Sequence, residues 1–432
     1  MDAFGESLRE LRRYSGWTQE DLAGRELTRA QISAVERGVA HLSVRGLIAL
    51  VQRAPDPSQL ILSYCDAYPP ASSWTELVRF LMLNGWEKLA GSVIATAQAK
   101  LASKRGGYAG TSFESSLVAW SLHLKECHTE AATRFATAAA LAAAKKRWYE
   151  AAQALWDSGQ ALALSGHLSR ALQRFQRSHA AIGSRSNRRA LVLRGHLCRS
   201  EVEVLRRMGL FHWARDRAGR ARTYYRDAGA PVEEGHALSD LGASFLEEGH
   251  YRQAEDVLRE AHRLLLKEHH DRCISAVTLN LGMALAGMGR FKEAAGLIQT
   301  AASTHSSIGA YAHLELARLH AQQGRLDEAK EAVQLAVGRC DLAEEARRLA
   351  VQAALGLLSW PVARARILAV ARDALNPHEE ATVLYEAARY CADCGQPAGA
   401  SELYLKARFV AQAAWGPDVD ARPTTAPEPM KS

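Results

Sequence analysis

A length of 432 residues is enough for roughly two or three ordinary domains and too great for one compact core. Apolar residues make up 48 % of the chain, and its 31 glycines and 12 prolines are too few for a disordered or fibrous protein. The formal net charge is +7, but residues 1–70 are nearly neutral. Net charge therefore does not single out the N-terminus as a nucleic-acid binder.

Residues 1–13 (MDAFGESLRELRR) contain acidic residues and no apolar centre, unlike a signal peptide. No apolar run approaches the roughly 20 residues that a membrane helix needs. The alanine-rich run at 136–144 comes nearest, and three basic residues end it at once. We therefore expect a cytoplasmic protein that does not enter a membrane.

The seven cysteines are odd in number and scattered, which argues against a disulfide framework. Only Cys391 and Cys394 are close together, as C-x-x-C. A zinc site of this kind needs a second such pair, so two small buried helix residues are the better interpretation. We predict no metal site.

Residues 4–51 have the pattern of a small helical bundle. Thr18 is placed to cap one helix, with Asp21 three residues on, and Thr28 to cap the next, over residues 29–37. Gly38 follows that helix, as a left-handed helix end requires. Inward-facing apolar residues are predicted at Leu8, Leu11, Ile32, Val35, Leu47, Leu50 and Val51.

The stretches WTQEDLA at 17–23 and TRAQISAVERG at 28–38 resemble the Cro/lambda-repressor (XRE) helix-turn-helix family. The turn at 24–27 is shorter than is usual in that family and lacks the customary glycine before Leu27. We therefore expect a slightly different angle between the second and third helices. The resemblance covers the predicted domain 1–54 and implies that it binds double-stranded DNA.

The resemblance also implies that the third helix enters the major groove with its N-terminal residues at the base edges. The base-contacting positions map to Arg29, Ala30 and Ala34, and Gln19 matches a phosphate-binding glutamine. An arginine bound to guanine through two hydrogen bonds supplies about 1–3 kcal/mol of discrimination. The complete set of DNA-binding candidates is Gln19, Thr28, Arg29, Ala30, Gln31, Ser33, Ala34 and, as a weaker phosphate contact, Arg45.

Clusters of proline separate this domain from the rest of the chain. Pro55, Pro57, Pro69 and Pro70 predict a linker over 55–73, and four further prolines predict a disordered tail over 416–432. The interval 74–415 is rich in alanine and leucine and predicts helices almost throughout.

That interval repeats itself: a small residue, another twelve residues on, and a third seven beyond it. Three clear copies are Gly242, Ala254 and Ala261; Gly282, Ala294 and Ala301; and Ala317, Ala329 and Ala336. Small residues are needed where two helices of one unit approach closely, and neighbouring units must stack to bury their apolar faces. The pattern resembles the tetratricopeptide repeat, with a period of about 40 residues rather than the usual 34; another kind of helical-hairpin array is the alternative.

We therefore predict an all-α protein, with an N-terminal helix-turn-helix bundle followed by a tetratricopeptide-like α-solenoid of about 8–9 helical hairpins. This architecture resembles the Rgg/Rap/NprR/PlcR/PrgX group of peptide-responsive regulators. The resemblance implies a peptide or similar effector on the inner face of the array, and a homodimer formed through the array.

In such repeats the first helix of each unit faces inward at fixed offsets from the small residue. The ligand-binding candidates are Trp156, Gln160, His196, Arg199, Arg206, His236, Ser239 and Asn280. Residues 151–230 carry fifteen arginines against five acidic residues, which favours an anionic effector or partner, with the DNA backbone as a competing explanation.

The function predicted from the sequence is a DNA-binding transcriptional regulator whose array senses an effector. No nucleotide-binding loop, HExxH motif or GxSxG motif is present, so we predict no catalytic residue and no cofactor. The polar cluster at 269–271 is explained as a loop between helices. The alternative is an interaction scaffold whose N-terminal domain only docks a protein, which the neutral charge and two alanines in the reading helix favour.

Overall fold

The computed structural model describes residues 3–415, except 24–26, 52–57, 72, 84–85, 104–110, 268–270, 304–305, 337–341 and 375–376. Within these residues the regular structure is helical and contains no strand, so the all-α prediction is confirmed. The chain divides into two compact units, Met1–Leu164 and Ser165–Ser432. The predicted tail, the turn at 24–26 and His269-His270 lie outside the described residues.

The first unit begins with five helices that form a small bundle. They are α1 (Ala3–Tyr14), α2 (Gln19–Leu22), α3 (Arg29–Glu36), α4 (Val44–Val51) and α5 (Ser58–Ala67). Helix α1 contacts α3 and α5, and α2 contacts α3. Leu8, Ile32 and Leu47 are fully buried between them, as the apolar pattern predicts, and Phe4 is fully buried as well.

Local capping chemistry explains where α2 and α3 begin. Thr18 and Thr28 each accept a hydrogen bond from the backbone N–H three residues on, and the side chain at that position accepts one from the threonine N–H. Both predicted caps are therefore complete capping boxes, which satisfy two otherwise unpaired donors at each helix start.

Helix α5 occupies most of the segment that the prolines indicate as a linker. Its Leu60, Ile61 and Tyr64 are buried, and the Tyr64 hydroxyl donates to the Leu42 carbonyl at 3.1 Å. The flanking prolines allow a helix between them because only the helix interior excludes proline. The bundle thus extends beyond residue 54.

Gly5 lies where α1 crosses α3, and a Cβ atom there would approach the carbonyl oxygen of Val35 to 2.3 Å. We expect Gly5→Ala to lower the free energy of unfolding of the bundle by about 1–3 kcal/mol, because a backbone group has to move. Gly296→Ala is the control: Gly296 lies in a helix with open space around it, so alanine should stabilise by up to about 1 kcal/mol. Urea unfolding curves measure both, and equal effects would contradict this account.

The rest of the first unit consists of longer helices in hairpin arrangement. They are α6 (Trp74–Leu83), α7 (Glu87–Ser103), α8 (Ser112–Leu124), α9 (His128–Ala144) and α10 (Trp148–Leu164). Helix α6 packs on α7, α8 on α9, and α9 on α10.

The second unit continues the hairpin pattern. Its helices are α11 (Leu168–Ile182), α12 (Arg188–Arg207), α13 (Phe211–Asp227), α14 (Pro231–Glu247), α15 (Tyr251–Lys267), α16 (Asp271–Gly287), α17 (Phe291–Ala302), α18 (Ser306–Gln322), α19 (Leu326–Leu335), α20 (Leu342–Ala354), α21 (Trp360–Arg372), α22 (Pro377–Asp393) and α23 (Pro397–Trp415).

The repeat pattern corresponds to close helix contacts in this unit. A Cβ on Gly242 would lie 2.5 Å from Leu258, and one on Gly282 would lie 2.6 Å from Ile298. Glycines with positive φ end the first helices of several hairpins: Gly209, Gly249, Gly289, Gly324, Gly356 and Gly395. The predicted stacked α-solenoid is confirmed.

The first helices of successive hairpins also pack in a row: α12 on α14, α14 on α16, α16 on α18, α18 on α20 and α20 on α22. Helix α18 contacts α22, and α12 contacts α22 as well, so within the second unit this row curls back on itself. Side chains from distant hairpins therefore meet along it. In the part of the chain that is described, no helix is both long and apolar enough to cross a bilayer.

Candidate functional site

The N-terminal half of α3 presents the predicted reading side chains to solvent. Thr28, Arg29, Ala30 and Gln31 are exposed, whereas Ile32 and Val35 are buried in the bundle. The predicted contacts Ser33 and Ala34 are half-buried. One helix face therefore packs on the bundle while the other is available to a partner.

A single buried carboxylate holds α1, α2 and α3 together. Glu36, only 2 % exposed, accepts from Arg12 Nε at 2.6 Å and from Gln19 Nε2 at 2.9 Å. The Arg9 guanidinium donates to the Glu36 carbonyl at 2.6 Å. Burial acts to raise the pKa of Glu36, but the bonds from Arg12 and Gln19 outweigh it and the pKa is lowered. The carboxylate stays ionised and fixes the orientation of α3.

Glu36 is a residue that the sequence reasoning left without a role. The signal was present: an acidic side chain at an inward-facing position of α3, with Arg12 on the first helix. Gln19, predicted to contact phosphate, is half-buried and directs its amide nitrogen to Glu36. A phosphate contact from Gln19 stays a prediction.

The two predicted DNA-binding arginines are exposed and loosely paired. Arg29 Nε lies 4.0 Å from Glu20 Oε2, with both side chains about 70 % exposed. Arg45 Nε lies 3.6 Å from Glu76 Oε2. An exposed pair such as Arg29 with Glu20 contributes about 0–1 kcal/mol, so the Arg29 guanidinium is available to a stronger anionic partner.

The effector candidates of the first unit lie on α10 and differ in exposure. Trp156 is buried, with the Arg79 guanidinium 5.5 Å from its ring centroid, while Gln160 is half-buried. The ring of Trp156 thus faces a core arginine rather than solvent. Its role in binding stays a prediction.

In the second unit the structure brings His196, Arg199 and His236 into one polar strip across α12 and α14. Arg199 Nε donates to Asp240 at 2.6 Å, and its Nη1 lies 3.4 Å from His236 Nδ1. His196 Nδ1 is hydrogen-bonded to the Tyr225 hydroxyl at 2.8 Å. Ser239 and Asn280, predicted for the same surface, are half-buried.

Arg206 is also neutralised, because its Nε lies 3.0 Å from both carboxylate oxygens of Glu247. Burial lowers the pKa of both arginines, but Asp240 and Glu247 outweigh it and raise the pKa of Arg199 and Arg206. An anionic effector at this strip would therefore have to displace an internal carboxylate.

A larger ionic cluster, which the sequence reasoning missed, joins α18, α20 and α22. Its members are Glu315, Arg318, Arg347, Glu386, Arg389, Tyr390 and Asp393. Glu315 is fully buried and accepts from Arg318 at 2.9 Å and from the Tyr390 hydroxyl. Arg318 also donates to Asp393 at 3.1 Å, and Arg347 and Arg389 donate to Glu386 at 3.1 and 2.7 Å.

Two Glu-x-x-Arg spacings in the sequence mark this cluster: Glu315 with Arg318, and Glu386 with Arg389. Each pair surrounds a small repeat residue, Ala317 or Ala388, where helices approach closely. Burial acts to raise the pKa of Glu315, but the charges of Arg318 and Arg389 outweigh it and lower that pKa to about 2. The Glu315 carboxylate therefore stays ionised over the physiological range.

Comparison with known proteins identifies the fold. No protein-family model matches the sequence, and no curated protein sequence matches it. Among solved structures, a Rap protein complexed with Competence and Sporulation Factor matches with a TM-score of 0.57 and 13 % identity, over 78 % of this chain and 97 % of that one. This chain has the fold of the Rap proteins.

Two further solved structures support the Rap fold. The Rap conjugation gene regulator of the plasmid pLS20, in complex with the Phr* peptide, matches with a TM-score of 0.53 and 11 % identity, over 80 % of this chain and 97 % of that one. Aspartyl phosphate phosphatase F from Bacillus subtilis matches with a TM-score of 0.51 and 13 % identity, over 81 % and 96 %. At these identities the likeness to Rap proteins concerns the fold.

Proposed function

We propose that this protein is a cytoplasmic, homodimeric, sequence-specific DNA-binding transcriptional regulator, and that its repeat array binds a peptide or another effector that controls DNA binding. One observation carries the proposal: the exposed N-terminal face of α3. Arg29, Ala30 and Gln31 project from a helix whose other face is buried and whose orientation the Glu36 carboxylate holds. A rigid helix with a free face is what groove recognition needs.

Features of the repeat array support the binding of an effector. One Rap protein of the same fold is complexed with the Phr* peptide. In this chain the first helices of the hairpins bring hydrogen-bonding side chains into one row, among them His236, Ser239 and Asn280. An asparagine amide can donate to and accept from a peptide backbone at the same time.

The proposal includes no catalytic role. One protein of the same fold is named an aspartyl phosphate phosphatase, and a likeness of fold alone does not transfer an activity. The competing function is a scaffold whose helix-turn-helix domain docks a protein, and the experiment below separates the two.

Genomic fragments selected on the purified full-length protein at roughly 150 mM salt test DNA recognition. Selection is run with the protein alone and with the low-molecular-mass fraction of host extract, so that a regulator needing its effector is still detected. We expect a shared inverted repeat, because a dimer places two reading helices on two half-sites.

Arg29→Ala should weaken binding to this site about 5- to 150-fold and relax specificity at one base position, the equivalent of about 1–3 kcal/mol. Arg13→Ala is the matched control, since Arg13 is an exposed arginine on α1 and is not part of the reading helix. Recovery of unrelated fragments that salt removes, under both conditions, would contradict DNA recognition and leave the scaffold.

A further inference from the structure

Three side chains with different donor atoms meet between α11 and α12. His179 lies in the last turn of α11, and Cys198 and Glu201 lie one turn apart on α12. One imidazole nitrogen, the thiol sulfur and one carboxylate oxygen all lie within 4.8 Å of one another. Cys198 and Glu201 are 1 % and 4 % exposed, while His179 is half-buried and reaches the surface.

The polar atoms of this cluster form few hydrogen bonds within the protein. His179 Nε2 is buried and has no hydrogen bond, although it lies 3.5 Å from Glu201 Oε1, and Glu201 Oε2 lies 3.2 Å from Arg217 Nε. A buried polar atom without a hydrogen bond calls for an explanation. A buried imidazole nitrogen without a hydrogen bond, next to a thiol and a carboxylate, has the surroundings of a metal ligand.

We propose that His179, Cys198 and Glu201 bind a Zn²⁺ ion. Imidazole nitrogen, thiolate sulfur and carboxylate oxygen are the donors that zinc takes, at about 2.0–2.1, 2.3 and 2.0–2.2 Å. These lengths place tetrahedral ligands roughly 3.5 Å apart, which is the distance already found between His179 Nε2 and Glu201 Oε1. Three protein ligands leave the fourth tetrahedral position to water.

The surrounding charges are balanced. Arg217 Nε lies 3.2 Å from Glu201 Oε2, and Arg220 pairs with Asp216 at 3.0 Å. Arg217 competes directly with a cation for Glu201, and its side chain is about one third exposed. It can therefore turn to solvent as the metal replaces it. The ion then braces α11 against α12 at the start of the second unit, independently of the proposed DNA-binding function.

Co²⁺ titration of the full-length protein tests this site, because a cysteine ligand gives a sulfur-to-cobalt charge-transfer band that nitrogen and oxygen ligands do not. We expect one such band, saturating at one Co²⁺ per chain and displaced by Zn²⁺. Cys198→Ser should abolish it. Cys394→Ser is the matched control and should keep it, since Cys394 lies in the C-x-x-C motif directly after the end of α22.

His179→Gln provides a second variant, because its half-buried position tolerates a polar residue of similar size. It should lower Co²⁺ affinity at least about tenfold while the protein stays folded. A protein with no charge-transfer band at all would overturn the proposal. So would a band that survives in both Cys198→Ser and His179→Gln.

Discussion

Replacing Asp157 with leucine is expected to lower the free energy of unfolding of the first unit by about 3–5 kcal/mol. Its carboxylate oxygens accept from Arg79 Nε at 2.7 Å and from Arg79 Nη2 at 2.5 Å. Both side chains are buried, and Arg79 Nη1 has no hydrogen-bond partner even in the native protein. The substitution leaves a buried guanidinium without its counter-ion.

Arg79 is not expected to compensate for the loss of Asp157 by releasing its proton. Burial lowers the pKa of Arg79, but the Asp157 carboxylate outweighs burial and raises it, so the guanidinium is protonated in the native state. Without Asp157, the cation must either remain unpaired between α6 and α10 or pull the two helices apart to reach water. The remaining contact with the Trp156 ring, at 5.5 Å, is too weak to replace an ion pair.

The double variant Arg79→Met/Asp157→Leu is the control, because it removes both charges and keeps apolar volume. Replacing a whole buried ion pair by apolar residues is often close to neutral, so we expect most of the stability to return. Equilibrium urea unfolding followed by tryptophan fluorescence measures all three proteins. A double variant as unstable as the single one would mean that shape, not charge, is decisive at this position.

Glu315→Leu is expected to lower the free energy of unfolding of the second unit by about 3–5 kcal/mol, because it leaves Arg318 and the Tyr390 hydroxyl without their shared acceptor. Glu345→Leu is the matched control. Glu345 forms the same Glu-x-x-Arg pair, with Arg348 at 2.6 Å, but both side chains are partly exposed. Its loss should cost about 0–1 kcal/mol.

The pH dependence gives this prediction a second readout. The folded-state pKa of Glu315 is lowered to about 2, so its stabilising contribution is present above the ordinary carboxyl pKa and is lost only as the pH falls towards about 2. The difference in stability between the native protein and Glu315→Leu should therefore be the same at pH 5 as at pH 7. A difference that shrinks markedly at pH 5 would show that the carboxylate is not held ionised by its arginines.

The sequence by itself determined the features that depend on neighbouring residues. Thr18 and Thr28 begin their helices because a hydroxyl and a polar side chain three residues on satisfy local donors. The small residues of the repeat, such as Gly242, could be placed because a fixed spacing reports helix packing within one hairpin. The helical class and the stacked array followed from these local rules.

The segment around α5 shows where local rules mislead. Leu60, Ile61 and Tyr64 have helical spacing. The prolines on either side nevertheless led to the prediction of a linker, because composition gave them more weight than the spacing. Only contact with the Leu42 carbonyl and the Phe4 ring shows that this helix completes the bundle.

The tertiary structure alone decided which charges are paired. Arg12 meets Glu36 across 24 positions, and Arg79 meets Asp157 across 78. Arg199 and Arg206 are predicted from the sequence to bind an anionic effector. In the structure they are neutralised by carboxylates from the next hairpin. An arginine surrounded by alanine and leucine looks alike in the sequence whether it faces solvent, a ligand or a buried carboxylate. The partner is chosen by the stacking of distant helices, which local propensity does not specify.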